Sequence, residues 1–446
     1  MRWTCGQYGG ANRGLRWTSG SALNWSLCVL VSRWSASGLI DCGAKSGPRS
    51  RPILPYRQII LRVETVKLNW PEVVGRRLAR HHLLTAAPPE ELAAVAADIC
   101  GVHAQVGASA ELMLGARVGG ITRQDVRAAL WERRTLVKTV GLRGTLHLFP
   151  ANEVPTWMAA NRLRFEAEER RRVKTGLDFK SFLAVVEAIS DAVGPEPITR
   201  PELERELEAR AGSWAVAKNE GWAGSYSNWP MSLGWAAAQG RVCYGPGPGG
   251  RITFVRLADW TGWREEDPFE AGLFVLRRFL QAYGPSTLAE FARWFYLEPA
   301  LVKRLFGELE PELTEVEVEG SRRWLLKEDA YAAAQPAVDA VHLLPHFDVF
   351  IVGSHPRDQL MVPGSPVALA APGTAAPLSV LLVGGRVAGI WERRPKGKRL
   401  LICVDAHQPL TRRQKEMVAE RAERVAQVLE LQCELEFGAV PLRVHL

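Results

Sequence analysis

The sequence predicts an α+β protein in which three tandem repeats, each of three helices and a two-stranded hairpin, precede a C-terminal small β-barrel or open sheet. Three observations carry this expectation. Helix-opening signatures recur three times, paired β-rich runs around a glycine-containing turn follow them, and the last hundred residues give up helical periodicity for short apolar runs parted by Gly and Pro.

The chain has 446 residues, 47% hydrophobic and 23% charged, with room for roughly three or four domains. Residues 1–66 stand apart. They hold nine Arg or Lys against two acids, four of the 16 Trp and three of the seven Cys, with no helical or strand period. The apolar run LNWSLCVLV is short and followed by Arg33 with no small-residue cleavage site, and Asp41 occupies the place before Cys42 that a lipobox would give to a small residue. This stretch is expected to be a mistranslated or disordered leader, with the folded chain starting near Thr65 or Val66. It also supplies +7 of the formal net charge of +8, so residues 67–446 are nearly neutral and global basicity says nothing about the folded body. Cys100, Cys243, Cys403 and Cys433 lack metal or redox spacing, as expected of reduced, buried thiols. No apolar run reaches membrane-span length, and the default expectation is a cytoplasmic protein.

Helix starts are read at ITRQDVRAAL, ITRPELEREL and PSTLAEFARWF. In each a Thr precedes an acid by three residues: Thr122 with Asp125, Thr199 with Glu202, Thr287 with Glu290. That is the capping-box spacing. LAAVAADICG, FLAVVEAISDAVG and FEAGLFVLRRFLQAYG supply earlier helices, and SNWPMSLGWAAAQG and PALVKRLFGEL later ones. Strand pairs follow in TLVKTVGLRGTLHLF, turning near Gly141 to Gly144, in RVCYGPGPGGRITFVRL and in LTEVEVEGSRRWLLKE. Helix, helix, helix and a two-stranded wing is the winged-helix order, giving three tandem winged-helix domains over 67–160, 161–265 and 266–335. A single copy could serve protein contacts, whereas three side by side could surround a channel for a duplex. Residues 336–446, with VHLLPHFDVFIVG, PLSVLLVGGRVAGIWERR, RLLICVDAHQPL and LELQCELEFG, read as the barrel or open sheet with one helix from Thr411 to Leu431. Within it RRPKGKR is a basic hairpin tip whose Arg393, Arg394, Lys396 and Lys398 are either a solvated turn or phosphate contacts. RFEAEERRRVK at 164–174 reads as a solvated helix face.

The chain has no phosphate-binding glycine loop in a strand-to-helix setting, no HExxH, no paired-Cys zinc pattern and no nucleophile elbow. No cofactor and no metal are expected. What remains is GVHAQVG at 101–107. On a helix His103 and Gln105 would point about 200° apart, whereas in an extended segment both face one side and Ala104 turns inward; Gly101 and Gly107 weaken helix continuity. The pair is either a satisfied polar element of the core or a water-binding site. A His with an amide has little acid power but can hold and partly deprotonate a water. Such an apparatus suffices for a bond already activated, as in a cationic alkylated purine.

The chain from about residue 68 onward resembles the AlkZ-like (YcaQ) family of winged-helix DNA glycosylases. GVHAQ at 101, ALWERRTLVKTVGLRGTLHLFP at 129, LLPHFDVFIVGSHPRD at 343 and GGRVAGIWERR at 384 carry the resemblance. It implies three winged helices, a C-terminal β-barrel, and a Gln-apolar-Gln motif that positions the water attacking C1′; here the motif falls on His103, Ala104 and Gln105. His replaces the first Gln, so the water-binding role passes to Gln105 and, as a base or a ligand, to His103. The implied substrates are duplex DNA carrying bulky N7- or N3-alkylpurines, crosslinks among them, attacked without base flipping. In RGTLH the resemblance places Arg143, Thr145 and His147 near the cleft, while alternation alone would send Thr145 and His147 to one face and Leu146 to the core. In FDVFIVGSHPRD, Asp348, Arg357 and Asp358 either line the cleft or form an internal ion pair, and Trp391 is barrel core. No lysine suggests lyase chemistry, and a monomer is expected. The competing readings are a non-catalytic DNA-binding regulator and a protein-contact scaffold. The apolar helix in SNWPMSLGWAAAQG, poor in base-reading side chains, argues against the regulator.

Overall fold

The computed structural model describes residues 66–175, 179–221, 224–330, 339–362, 365–367 and 378–441, with the side chains of 166–175, 219–221, 224–226 and 250 left out. The expected leader therefore lies outside the described residues apart from Val66. The chain opens with β1 (Val66–Leu68) and α1 (Trp70–Arg80). β1 pairs in parallel with a strand 250 residues away, Val66 opposite Val316. Trp70 and Val73 join Val316, Val318 and Leu325 in a small core. This opening segment thus completes the third repeat's sheet rather than the first.

The first repeat contains α2 (Leu92–Asp98), β2 (Val102–His103), α3 (Gly107–Gly115), α4 (Arg123–Trp131), β3 (Leu136–Val140) and β4 (Leu146–Pro150). Its sheet runs β2-β4-β3. After α5 (Val154–Thr175) the second repeat has α6 (Phe179–Ala192), β5 (Ile198–Thr199) and α7 (Arg200–Ala211). A short insertion, α8 (Ser213–Val216) with the hairpin β6 (Lys218–Gly221) and β7 (Gly224–Ser227), separates these from α9 (Leu233–Ala238), β8 (Cys243–Gly245) and β9 (Thr253–Val255). The sheet order is β5-β9-β8, the same arrangement. α10 (Leu257–Thr261) leads into the third repeat: α11 (Pro268–Tyr283), α12 (Leu288–Phe295), α13 (Pro299–Leu309), β10 (Leu313–Val318) and β11 (Ser321–Leu326). Here a single antiparallel bridge from Ser286 to Trp324 stands in for the first strand.

All three expected capping boxes are present, at Thr122, Thr199 and Thr287. Their places differ: Thr122 opens the third helix of its repeat, whereas Thr199 and Thr287 open the second. α3, which has no cap side chain and almost uniform burial, fills the place between. In the third repeat the cap is tied into the core, because Glu290 also takes two bonds from Arg323 at 2.9 and 2.7 Å. One apolar core runs through all three repeats, from Val137 and Phe149 through Trp157 and Phe182 to Phe279 and Phe291. Trp157 on α5, fully buried, meets Phe274 on α11 edge-on at 6.3 Å.

The C-terminal part is a five-stranded sheet that curls as a half-barrel, made of β12 (Val341–Leu344), β13 (Val380–Val383), β14 (Arg386–Lys396), β15 (Arg399–Ala406) and β16 (Gln432–Phe437) in that spatial order. β15 and β16 pair in parallel across α15 (Arg412–Val428), which starts at Thr411 as expected. Trp391 is core, its Nε1 donating to the Leu344 carbonyl at 2.9 Å. One apolar run departs from the strand expectation: VFIVG forms α14 (Val349–Gly353), because the Asp348 carboxylate accepts the Phe350 N–H at 2.9 Å and starts a helix there. Cys100 and Cys243 are buried and Cys403 and Cys433 half-buried, all four as free thiols.

The same Asp348 joins the half-barrel to the first repeat. Arg117, just after α3, donates to it through both terminal nitrogens at 2.9 and 2.7 Å, and neither side chain is exposed. Removing one member of a buried pair leaves the other charged and unsolvated. Asp348→Ala is therefore expected to cost about 3–5 kcal/mol, read as a lowered urea midpoint with an unchanged slope.

Candidate active site

Gly101, with φ +88, ends the turn after α2; a Cβ there would meet the Phe149 ring at 2.5 Å. The chain then extends as β2, and His103 lies opposite His147 of β4. The ladder continues one residue further, with the Ala104 N–H donating to the Leu146 carbonyl at 2.7 Å. Gln105 follows, its Oε1 accepting from the Leu146 N–H at 3.3 Å. Extended backbone puts His103 and Gln105 on one side and Ala104 on the other. Ala104 accordingly lines a separate cavity of about 550 Å³, while Gln105 lines a cleft of about 870 Å³.

All three repeats build that larger cleft. The first gives Gln105 and Leu146, α5 gives Arg164, the second Met231, and the third Arg293 and Tyr296. His103 lies one step deeper, 5% exposed. The Phe347 ring stacks on it with centroids 4.9 Å apart, and the His147 ring meets it edge-on at 5.2 Å. Phe347 itself takes a left-handed backbone, φ 59. Burial first, and then the Arg143 guanidinium, lower the His103 pKa to about 4. His147 is pushed well below the ordinary range by burial and by His103, with its Nδ1 donating to the Thr145 carbonyl at 3.0 Å. At neutral pH both imidazoles are uncharged. The His103 Nδ1 is buried with no hydrogen-bonding partner among the described residues.

A family model described as DNA glycosylase AlkZ-like matches residues 96–428. The chain belongs to the AlkZ-like DNA glycosylase family. It is thereby placed among enzymes that hydrolyse N-glycosyl bonds. It is similar to the interstrand DNA cross-link repair glycosylase of Streptomyces sahachiroi, 32% identical over 340 residues, which cover 73% of this chain and 88% of the relative. It also matches the solved structure of Streptomyces sahachiroi DNA glycosylase AlkZ with a TM-score of 0.69 at 26% identity, covering 83% of this chain and all of that one.

Among the residues nominated from sequence, His103, Gln105, Arg143 and His147 come together around β2 and β4. As the alternation in RGTLH implies, Leu146 packs against the core, and it also reaches the cleft, whereas His147, opposite His103, is buried against that ring and Phe149. Thr145 does not line the cleft, because its hydroxyl is used within the turn, donating to the Leu142 carbonyl at 2.9 Å. Arg143 donates to the Trp294 carbonyl at 2.9 Å and so binds the end of α12. Asp348 cannot contact a ligand in this fold, since Arg117 and the Phe350 N–H consume it. Its partner is Arg117 rather than the nearby Arg357. Arg357 donates to the Val352 carbonyl at 3.2 Å, and burial first, then the charges of Arg143 and Arg293, lower its pKa.

The basic hairpin tip lines neither cavity. Arg394 pairs with Glu392, and Arg393 is half-buried beside Arg123 and Glu111. Lys396 and Lys398 are exposed. Of the run at 164–174 expected to be a solvated face, Arg164 lines the cleft and donates to the Gly141 carbonyl at 3.3 Å. The side chains of 166–174 lie outside the described residues. Phe347, Arg164, Arg293 and Tyr296 were not singled out from sequence. Phe347 stands inside the quoted LLPHFD motif, but nothing in that string marks it as the ring that would cover His103.

A histidine whose folded pKa is depressed binds a proton in the unfolded chain near pH 6.5 and not in the folded one. Its contribution to stability is complete above about pH 6.5 and is lost as pH falls toward 4. His355, lowered to about 4, and His342, lowered to about 3, add to the same limb. Unfolding free energy is expected to be flat above pH 7 and to fall below 6.5. His103→Gln should reduce the slope between pH 6 and 4.5 by up to about 1.4 kcal/mol per pH unit, measured from urea midpoints across that range.

Proposed function

We propose that this chain is a monofunctional glycosylase that releases N7- or N3-alkylated purines, bulky and interstrand-crosslinked ones included, from double-stranded DNA. In this reading the three repeats are winged helices that hold the duplex along the cleft, and the protein acts as a monomer. The observation that carries it is the place of Gln105, at the one point where the His-Ala-Gln segment opens into a cleft bearing Arg164 and Arg293. The crosslink repair named for the Streptomyces sahachiroi relative supports the substrate class.

The leaving group in such a lesion is already cationic, so it departs with the electron pair of the C1′–N bond and becomes neutral without an acid. A water must then reach the electron-poor C1′. The Gln105 carbonyl oxygen has a second lone pair beyond the one facing the Leu146 N–H, and its amide nitrogen has two protons to give. Together they can accept a hydrogen from the water and orient its oxygen. His103, uncharged, presents an imidazole that orients the water, whose proton passes to solvent once its oxygen has bonded to C1′. With a pKa near 4 it is too weak a base to ionise water in the ground state, which fits a step in which the leaving group has done most of the work. Arg164 and Arg293, which line the cleft, give the positive charge that phosphates require although residues 67–446 are nearly neutral as a whole. The exposed Lys396 and Lys398, with Arg393 and Arg394 behind them, are proposed as outlying phosphate contacts.

The test is base release from duplex DNA carrying N7-methylguanine or an N7-linked crosslink, followed by alkaline cleavage. Gln105→Ala and His103→Ala are each expected to slow release at least about tenfold, equivalent to about 1.4 kcal/mol of transition-state stabilisation. Strand nicking without alkali would contradict the hydrolytic step.

A further inference from the structure

The end of α12 departs from ordinary helix chemistry. Its last residue is Phe295, and Tyr296 follows as the C-cap with φ 63 and ψ 50, the left-handed conformation normally given to Gly. A side chain there crowds its own carbonyl. The other rings of the helix, Phe291, Trp294 and Phe295, are buried and packed on one another. Tyr296 is 62% exposed, lines the cleft with Gln105, and has no ring contact or side-chain hydrogen bond among the described residues. A strained backbone and an uncovered aromatic ring both work against the fold and return nothing to it.

The turn is nevertheless held in place. Arg143, also left-handed at φ 55, donates its Nη1 to the Trp294 carbonyl at 2.9 Å, so the first repeat's hairpin ties down the helix end that carries Tyr296. Arg293, in the last turn of the same helix, lines the cleft beside it, and Met231, 46% exposed, comes from the second repeat. An uncovered ring on a backbone held in place, with the Arg293 guanidinium lining the same cleft, is an arrangement that takes a nucleobase face with its backbone phosphate alongside.

We propose that Tyr296 is the stacking residue of this cleft, holding a nucleobase of the bound DNA so that the damaged nucleotide is presented to Gln105. This rests on the glycosylase reading above and adds to it a residue that recognises substrate. The ring, rather than the hydroxyl, supplies the contact.

Tyr296→Gly and Tyr296→Phe in the full chain separate this role from a structural one. Gly suits the left-handed backbone, so Tyr296→Gly should melt at or above the parent's temperature. The readouts are base release from N7-methylguanine duplex and the emission of 2-aminopurine placed beside a tetrahydrofuran abasic analogue in a duplex that cannot react. Tyr296→Gly is expected to lose the emission change and about tenfold in release, while Tyr296→Phe keeps both. A Gly variant that matches the parent in both readouts overturns the proposal and leaves the hydrolytic reading intact. A parent that alters the emission in a ring-dependent way but releases no base supports stacking while the hydrolytic reading fails. A parent that leaves the emission unchanged overturns stacking whatever its rate of release.

Discussion

The buried Arg117–Asp348 pair is the constraint on which the site depends. Arg117 follows α3 of the first repeat, and Asp348 belongs to the turn between β12 and α14 of the half-barrel. Phe347, the residue before Asp348, lies flat on His103. A bidentate, fully desolvated ion pair fixes both distance and angle, so it sets where that ring comes down. The ring in turn helps exclude water from His103, and burial is the main reason its imidazole stays uncharged. Two parts of the chain more than 200 residues apart thus meet to set the charge of one imidazole.

That charge state decides which chemistry is open. In the proposed function, a His near its ordinary pKa could serve as a general base at neutral pH, whereas the lowered pKa of His103 fits an imidazole that orients the water. The arrangement suits a substrate whose C1′–N bond is already weakened by a positive charge. In the proposed function, Arg164 and Arg293, which line the cleft, would meet the DNA backbone although residues 67–446 are nearly neutral as a whole.

Much of this was legible in the sequence where local rules act. Capping boxes marked Thr122, Thr199 and Thr287 as helix starts, glycine-containing turns marked the hairpins, and the glycines at 101 and 107 showed that His103 and Gln105 are not on one continuous helix. What local rules could not supply was pairing at a distance. β1 adds to the third repeat's sheet because Val66 finds Val316, and no periodicity in VKLNW indicates that. The burial of His147 between His103 and Phe149 likewise depends on the pairing of β2 with β4, which alternation within RGTLH does not show. Asp348 was recognisable as a candidate for an internal pair, but its partner Arg117 lies 231 positions away. Tyr296 was hidden for a different reason: in LAEFARWFY it reads as one more aromatic of an amphipathic helix, and only the left-handed C-cap turns it out to the cleft.

The most direct measurement is the single-turnover rate of base release from an N7-alkylated duplex between pH 5.5 and 8, for the parent and for His103→Gln. An uncharged, orienting His103 predicts profiles that are flat in both proteins over this range, with the variant retaining activity because an amide can also bind the water. A parent rate that falls with a midpoint near pH 6.5, with that limb absent from His103→Gln, would show a titrating general base and contradict the account.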